Sequence, residues 1–286
     1  MITCNLMGGL GNQLFQIFTT ISYGIKSRNQ FKFLNLETLG GGSTTVRYTF
    51  WNSLLYRLQY FLIYALPDNI NVIREKDFTF NELPIYQMLG KDTLIFGYFQ
   101  SYKYFKDNYH KIYELLCIEE MKIKVKTNFL TKMNHDKELL KNFVSMHFRI
   151  GDYKKMQHYH PIMTRDYYFR ALNFLEKKYK NTNFTVMYFC EDGDFDEVII
   201  TIKNLELQFP KYSFIRAENS LEDWEQLLLM SCCHHNIIAN SSFSWWGAYL
   251  NDWPDKTVCY PSIWFGSSAK HNTKDLCPPE WNKIQA

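Results

Sequence analysis

Short apolar runs alternate along this chain with stretches in which apolar residues recur every three or four positions. Residues 2–7, 31–36, 93–99, 143–149, 184–190, 237–240 and 257–260 carry the strand signature. Between them, Leu14, Ile17, Ile21 and Ile25 share one helical face. Tyr168, Ala171, Leu172, Leu175 and Tyr179 share another, as do Trp224, Leu227, Leu228 and Ser231. Strands in alternation with helices predict parallel sheets with right-handed crossovers, an α/β architecture. Residues 50–66 place Trp51, Leu54, Leu55, Leu58, Phe61, Leu62 and Ala65 on one helical face. They are read as a core-facing helix, with a membrane-surface helix as the alternative. The charge-rich stretch 122–141 has the weakest strand signal and is the expected seam, giving halves 1–140 and 141–286. Residues 40–45 read as a loop, because no P-loop lysine follows the three glycines.

Composition narrows the class. A chain of 286 residues with 46% hydrophobic residues can build a real core, which excludes wholesale disorder. The net charge of +3 is small and the lysines are scattered, so no nucleic-acid partner is expected. The seven cysteines form an odd set without disulfide-framework spacing, which points to reduced thiols and a cytoplasmic location. Met1 leads directly into a strand pattern, so no secretory signal is expected, and no window is apolar enough to span a bilayer. Peripheral membrane contact stays open through residues 50–66.

Two strings carry chemistry. The apolar run 143–146 leads into His147-Phe148-Arg149-Ile150-Gly151-Asp152-Tyr153, an arginine, a glycine turn and an aspartate at a strand's carboxyl end. Open α/β sheets hold nucleotides there. Ile237-Ile238-Ala239 leads into Asn240-Ser241-Ser242-Phe243-Ser244-Trp245-Trp246, small hydroxyl residues opening a helix. A helix start is an anion site, and an arginine opposite completes a diphosphate clamp, the mark of a nucleotide-sugar enzyme. Three other strings are weighed and set aside. Asp192-Gly193-Asp194 imitates a manganese-binding D-x-D but follows a strand as a turn would. Cys232-Cys233-His234-His235 lacks a second ligand pair and reads as buried helix. His158 and His160 read as loop surface.

Four strings in order resemble the α-1,2-fucosyltransferases of glycosyltransferase family 11: residues 8–16, 97–105, 147–153 and 229–250. The resemblance implies a GT-B-like fold of two Rossmann-like halves facing across a cleft. It also implies GDP-fucose as donor, inversion at the anomeric carbon, and no metal or other cofactor. The acceptor would be the 2-hydroxyl of a terminal β-galactoside in an oligosaccharide or glycoconjugate. Arg149 is then the main stabiliser of charge growing on the departing diphosphate. Ser241, Ser242, Phe243 and Ser244, after Asn240, supply donors to the β-phosphate, and Asp192 lies near the ribose or base. Gly8, Gly9 and Gly11 let backbone approach the donor from the other half, with Asn12 and Gln13 reaching the reacting sugars. His147 and Asp152 are both open as the proton acceptor or as supports of Arg149, while Asn12 can orient the hydroxyl. Two positions depart from the pattern: Ile150 stands at the motif's second arginine, and Gln226 stands where an acid precedes the Leu-Leu-Leu-Met run. Three alternatives follow: a fucosyltransferase with another acceptor or linkage, a carbohydrate-binding protein without catalysis, and a manganese-dependent transferase using Asp192 and Asp194.

Overall fold

The structure is a computed structural model that describes residues 1–40, 45–85, 90–133 and 139–286. Residues 41–44 of the expected 40–45 loop lie outside it. The chain divides into two compact units, Met1–Met121 with His271–Pro278, and Lys122–Lys270 with Pro279–Ala286. This boundary falls at the start of the charge-rich stretch rather than at the expected 140/141.

The first unit opens with β1 (Ile2–Cys4) and α1 (Leu10–Ser27), followed by β2 (Phe33–Leu34), β3 (Thr38–Leu39), β4 (Arg47–Tyr48), β5 (Leu62–Ile63), β6 (Asn71–Arg74) and β7 (Thr93–Phe96). It ends with α2 (Tyr109–Leu115) and the first residues of α3 (Ile118–Met133). Its main sheet is parallel, in the order β1-β7-β6. Helix α1 is buried along most of its length, with Leu14, Phe15, Ile17, Phe18 and Ile21 at or near zero exposure. The predicted face is included, apart from half-buried Ile25, and Gln13, Gln16, Thr19 and Thr20 on the other sides are buried as well.

Residues 50–66 do not form the expected helix. They make turns, a 3-10 helix at Tyr56–Phe61 and then β5, which pairs with β2. Tertiary contacts outweigh the helical period. The Trp51 indole donates to the Leu36 carbonyl at 3.1 Å, Gln59 donates to the Trp51 carbonyl at 2.9 Å, and Phe61 stacks on Phe31. The apolar residues Trp51, Leu54, Leu55 and Leu58 are nonetheless buried, while Ala65 is exposed.

The second unit begins within α3 and continues through β8 (Phe143–His147), α4 (Arg165–Lys178), β9 (Thr185–Phe189), α5 (Phe195–Gln208), β10 (Ser213–Arg216), α6 (Asp223–Cys232), β11 (His235–Ile237), α7 (Ser242–Tyr249), β12 (Val258–Pro261) and β13 (Asn282–Ile284). All six strands are parallel, in the order β10-β9-β8-β11-β12-β13. Numbered within the unit, that order is 3-2-1-4-5-6, which reverses direction between β8 and β11. Every residue of β8 is buried, as a strand covered on both faces requires. The unit is therefore Rossmann-like, and the chain is α/β with parallel main sheets, as expected. Sequence reading missed β3, β4, β6, β10 and β13, which are short and carry exposed or half-buried polar residues that blur the two-residue period. Among the described residues, no helix is long and apolar enough to cross a membrane.

Candidate active site

The topological switch of the second unit is built by the two strings that carried the chemistry. β8 and β11 are neighbours with Ile237 beside Met146, so 147–153 and 240–244 leave the same edge of the sheet from adjacent strands. Two tyrosines of α4 secure the exits. The Tyr168 hydroxyl donates to the His147 carbonyl at 3.0 Å, and the Tyr167 hydroxyl donates to the Ile238 carbonyl at 2.5 Å.

Beyond β8 the chain turns through a 3-10 helix at Gly151–Lys155, with Gly151 at φ +22°. Arg149 projects from this turn. Its Nη2 donates to Asp152 Oδ1 at 2.5 Å, its Nη1 donates to Glu191 Oε1, and its guanidinium lies 5.2 Å from the centre of the Tyr153 ring. Burial works against the cation, but the facing carboxylates outweigh it and raise the Arg149 pKa. Tyr153 joins the two strings, because its hydroxyl donates to the Asn240 carbonyl at 3.1 Å. Its ring also stacks on His160, so one of the two histidines read as surface belongs to this wall.

His147 is buried, and burial together with the Arg149 charge lowers its pKa to about 3. It is a neutral imidazole at neutral pH, with Nδ1 buried and unpartnered and its ring 5.5 Å from Phe243. Ser241 caps α7, accepting from the Phe243 amide at 3.3 Å, and Ser244 donates back to the Ser241 carbonyl at 3.4 Å. Ser242 and Phe243 are half-buried on the first turn. The opposite end of α7 meets two cations. Lys256 donates to the Ala248 carbonyl at 2.9 Å and to that of Asn251, and Lys122 donates to the Leu250 carbonyl at 3.0 Å. Cations at the carboxyl end complement the helix dipole and leave its positive end to an anion. Gly247 allows this placement, since a Cβ there would lie 2.9 Å from Met230 Cβ of α6. Asn240 is buried and braces the loop rather than opening to a ligand. Its amide donates to the Pro161 and Trp264 carbonyls at 2.9 and 3.0 Å.

The string that imitates a D-x-D is, as expected, a turn, a 3-10 turn just after β9. Asp192 pairs with Arg216 at 2.6 Å, while Asp194 accepts from the Gly151 amide at 2.7 Å and from Lys154 at 3.1 Å. In the Cys232–His235 string each side chain has its own partner. His234 contacts Asp255, and His235 Nδ1 accepts from the Thr257 amide at 3.1 Å. The four residues are buried, as expected, but the helix ends at Cys232 and His235 begins β11. Gln226 donates to the Leu221 carbonyl at 3.0 Å; Glu222 and Glu225 form a capping box for α6.

The glycine turn belongs to the first unit, between β1 and α1. Gly8 has φ +76°, and a Cβ there would lie 2.4 Å from Asn12 Nδ2, so the position requires glycine. Gly9 caps α1, its carbonyl accepting from the Asn12 and Gln13 amides at 3.0 Å, and Gly11 is buried in the first turn. Gln13 is fully buried, its amide donating to the Gly8 and Tyr48 carbonyls at 3.0 and 2.9 Å, which commits it to bracing the turn. Gln16 holds the same turn by a two-way pairing with the backbone of Met7. Asn12 is half-buried, and Gln100 Nε2 donates to its Oδ1 at 2.8 Å. The backbone that presents Gln100 is itself fixed on a neighbouring acid. Glu75 accepts from the Tyr98 and Phe99 amides at 2.7 and 2.9 Å, and its side chain fills the space a Cβ on Gly97 would need. Burial raises the Glu75 pKa.

The model of the family described as "Glycosyl transferase family 11" matches residues 1–285. The chain belongs to glycosyl transferase family 11. This family 11 chain is 26% identical to an Escherichia coli protein named alpha-1,2-colitosyltransferase, over 100% of this chain and 99% of that one. It is 27% identical to the O-antigen biosynthesis glycosyltransferase WbnK of Escherichia coli, over 98% of this chain and 99% of that one. Among solved structures, POFUT1 in complex with GDP-fucose aligns over 99% of this chain and 96% of that one, at 11% identity and a TM-score of 0.44.

Sequence reasoning did not single out Tyr153, Gln100, Glu75 or Glu191, which the structure ties to Asn240, Asn12, the 98–99 backbone and Arg149, and it read Asp194 only as a turn or metal residue. Tyr153 and Gln100 lie inside quoted strings, so a signal existed. Glu75 follows a strand with no motif around it, and Glu191 precedes the Asp192-Gly193-Asp194 turn without standing out from it; adjacent strands bring both to their partners.

Proposed function

We propose that this glycosyltransferase moves L-fucose from GDP-fucose to the 2-hydroxyl of a terminal β-galactoside, with inversion and without a metal ion or other cofactor. The observation that supports this reading most is the placement of Arg149 and the α7 amino terminus at the exits of β8 and β11, where a 3-2-1-4-5-6 sheet holds its ligand. As the glycosyl–phosphate bond breaks, negative charge collects on the GDP β-phosphate. A planar guanidinium and the first-turn amides of α7, aimed in advance at that charge, lower the barrier more than they favour the ground state. Asp152 and Tyr153 orient Arg149. Neutral His147 sits beside this charge without adding to it, and Asp192 lies at the neighbouring strand end toward ribose or base. In the first unit Asn12, steadied by Gln100, orients the acceptor hydroxyl.

One relative carries colitose in its name, so a donor bearing that sugar is the second reading. The purified protein is incubated with each labelled donor and a panel of galactose-terminated disaccharides, with and without Arg149→Lys. GDP-fucose is expected to give product on a β-galactoside, and Arg149→Lys to cut turnover about a hundredfold or more, because lysine lacks the planar fork. Transfer only from the colitose donor changes the sugar in this reading. Wild-type turnover in Arg149→Lys overturns the catalytic assignment, and glycan binding without any GDP requirement or transfer overturns the enzymatic reading.

A further inference from the structure

The acidic turn after β9 does more than fill the gap between β9 and α5. β9 lies beside β8 with Phe189 next to His147, so residues 191–194 emerge alongside the Arg149 turn. Asp194 is 4% exposed and fixes the backbone of that turn through the Gly151 amide and Lys154. Glu191 is different: its side chain is 58% exposed, and it reaches from solvent to the Arg149 Nη1 edge while Asp152 holds the Nη2 edge. A carboxylate and a phosphate make the same demand on a guanidinium, two oxygens facing two N–H groups. A diphosphate approaching Arg149 therefore meets a guanidinium edge already taken by Glu191.

We propose that the 191–194 turn sets nucleotide affinity through two carboxylates of opposite effect: Asp194 positions the Arg149 turn for the diphosphate, and Glu191 is an internal counter-ion that the diphosphate displaces. The proposal rests on the reading of Arg149 as a diphosphate ligand. Asp152 meets one edge of this half-buried guanidinium, and the N–H groups of the other edge still need an acceptor, because a polar group away from water without one is costly. A solvent-exposed carboxylate is the cheapest replaceable partner, since exposed ion pairs are weak and Glu191 can swing back to water. Nucleotide binds the fraction of molecules in which Glu191 has let go, so the apparent affinity is the intrinsic one scaled by that fraction. Asp194 stays in place throughout. Its two bonds hold Gly151 at φ +22°, and this fixes where Arg149 leaves the backbone.

The two carboxylates can be told apart by sign. GDP binding is measured by titration calorimetry on the wild type, Arg149→Ala, Glu191→Gln and Asp194→Asn, with donor and acceptor KM from initial rates. Glu191→Gln is expected to bind GDP about two- to fivefold more tightly, the strength of an exposed pair released. Asp194→Asn is expected to bind about tenfold more weakly, because a charge-assisted bond to Gly151 is lost. The donor KM should follow both changes while the acceptor KM stays level. If Arg149→Ala binds GDP like the wild type, the diphosphate reading itself fails. If Arg149→Ala loses GDP but Glu191→Gln binds it equally or more weakly, Glu191 is a fixed anchor and this proposal alone fails. Should Asp194→Asn not fold, Glu191→Gln decides the proposal by itself.

Discussion

Placing arginine at Ile150, the residue the family motif carries there, separates a tolerant site from one rebuilt around an apolar side chain. Ile150 follows Arg149 but is part of the core. It is 8% exposed and belongs to the buried cluster that includes Phe148, Met163, Tyr167 and Tyr168. Ile150→Arg gives up the burial of an isoleucine, worth about 1.5–3 kcal/mol. It also brings a cation among apolar and tyrosine side chains, which costs several kcal/mol more, partly relieved where the long stem lets the charge reach water. A net destabilisation of about 3–5 kcal/mol follows. At about 2–4 °C per kcal/mol for chains of this order of size, the melting temperature should fall by about 6–20 °C. Ile150→Val is the control and should cost about 0.5–1.5 kcal/mol. Circular dichroism melts of the three proteins, with turnover measured well below the transition, give the answer. An Ile150→Arg protein that melts within about 2 °C of the wild type, or turns over faster, refutes the reasoning. Either result would mean that the pocket accepts a second cation beside Arg149.

Three further outcomes follow from the same geometry. Transfer should persist in EDTA, because Asp192 is paired with Arg216 and Asp194 with Gly151 and Lys154; loss of turnover restored by manganese would return both aspartates to metal binding. His147 and His235 are each lowered to about 3, chiefly by burial, so below their unfolded value of about 6.5 the unfolded chain binds more protons than the folded one. Stability should be level above that pH and fall below it by on the order of 1 kcal/mol per pH unit per histidine; urea midpoints that stay flat from pH 7 to 5 would contradict the burial. Gly8→Ala should lower turnover and cost about 1–2 kcal/mol, from its positive φ and the collision with Asn12. Gly9→Ala, with open space at its Cβ, should change neither turnover nor melting temperature, and equal effects of the two would remove the argument from close approach.

The amino-acid sequence alone determined the alternation of strands and helices, the faces that α1 and α4 bury, and the two strings that end β8 and begin α7. Those are local properties: a period of apolar residues, a glycine turn, a serine before an aromatic helix. Residues 50–66 show where local pattern stops deciding. Their apolar positions were legible as core, but pairing of β5 with β2 and the Trp51 contact chose strand and turn over helix. The acids followed the same rule. Nothing near Asp192 or Asp194 distinguishes a metal ligand from a brace, and nothing near Glu191 marks it as a partner of Arg149 at all. The tertiary structure decided both, because a parallel sheet places the exits of β8, β9 and β11 side by side. Residues many positions apart in the chain thereby come within hydrogen-bond reach, a juxtaposition with no period in the sequence to announce it.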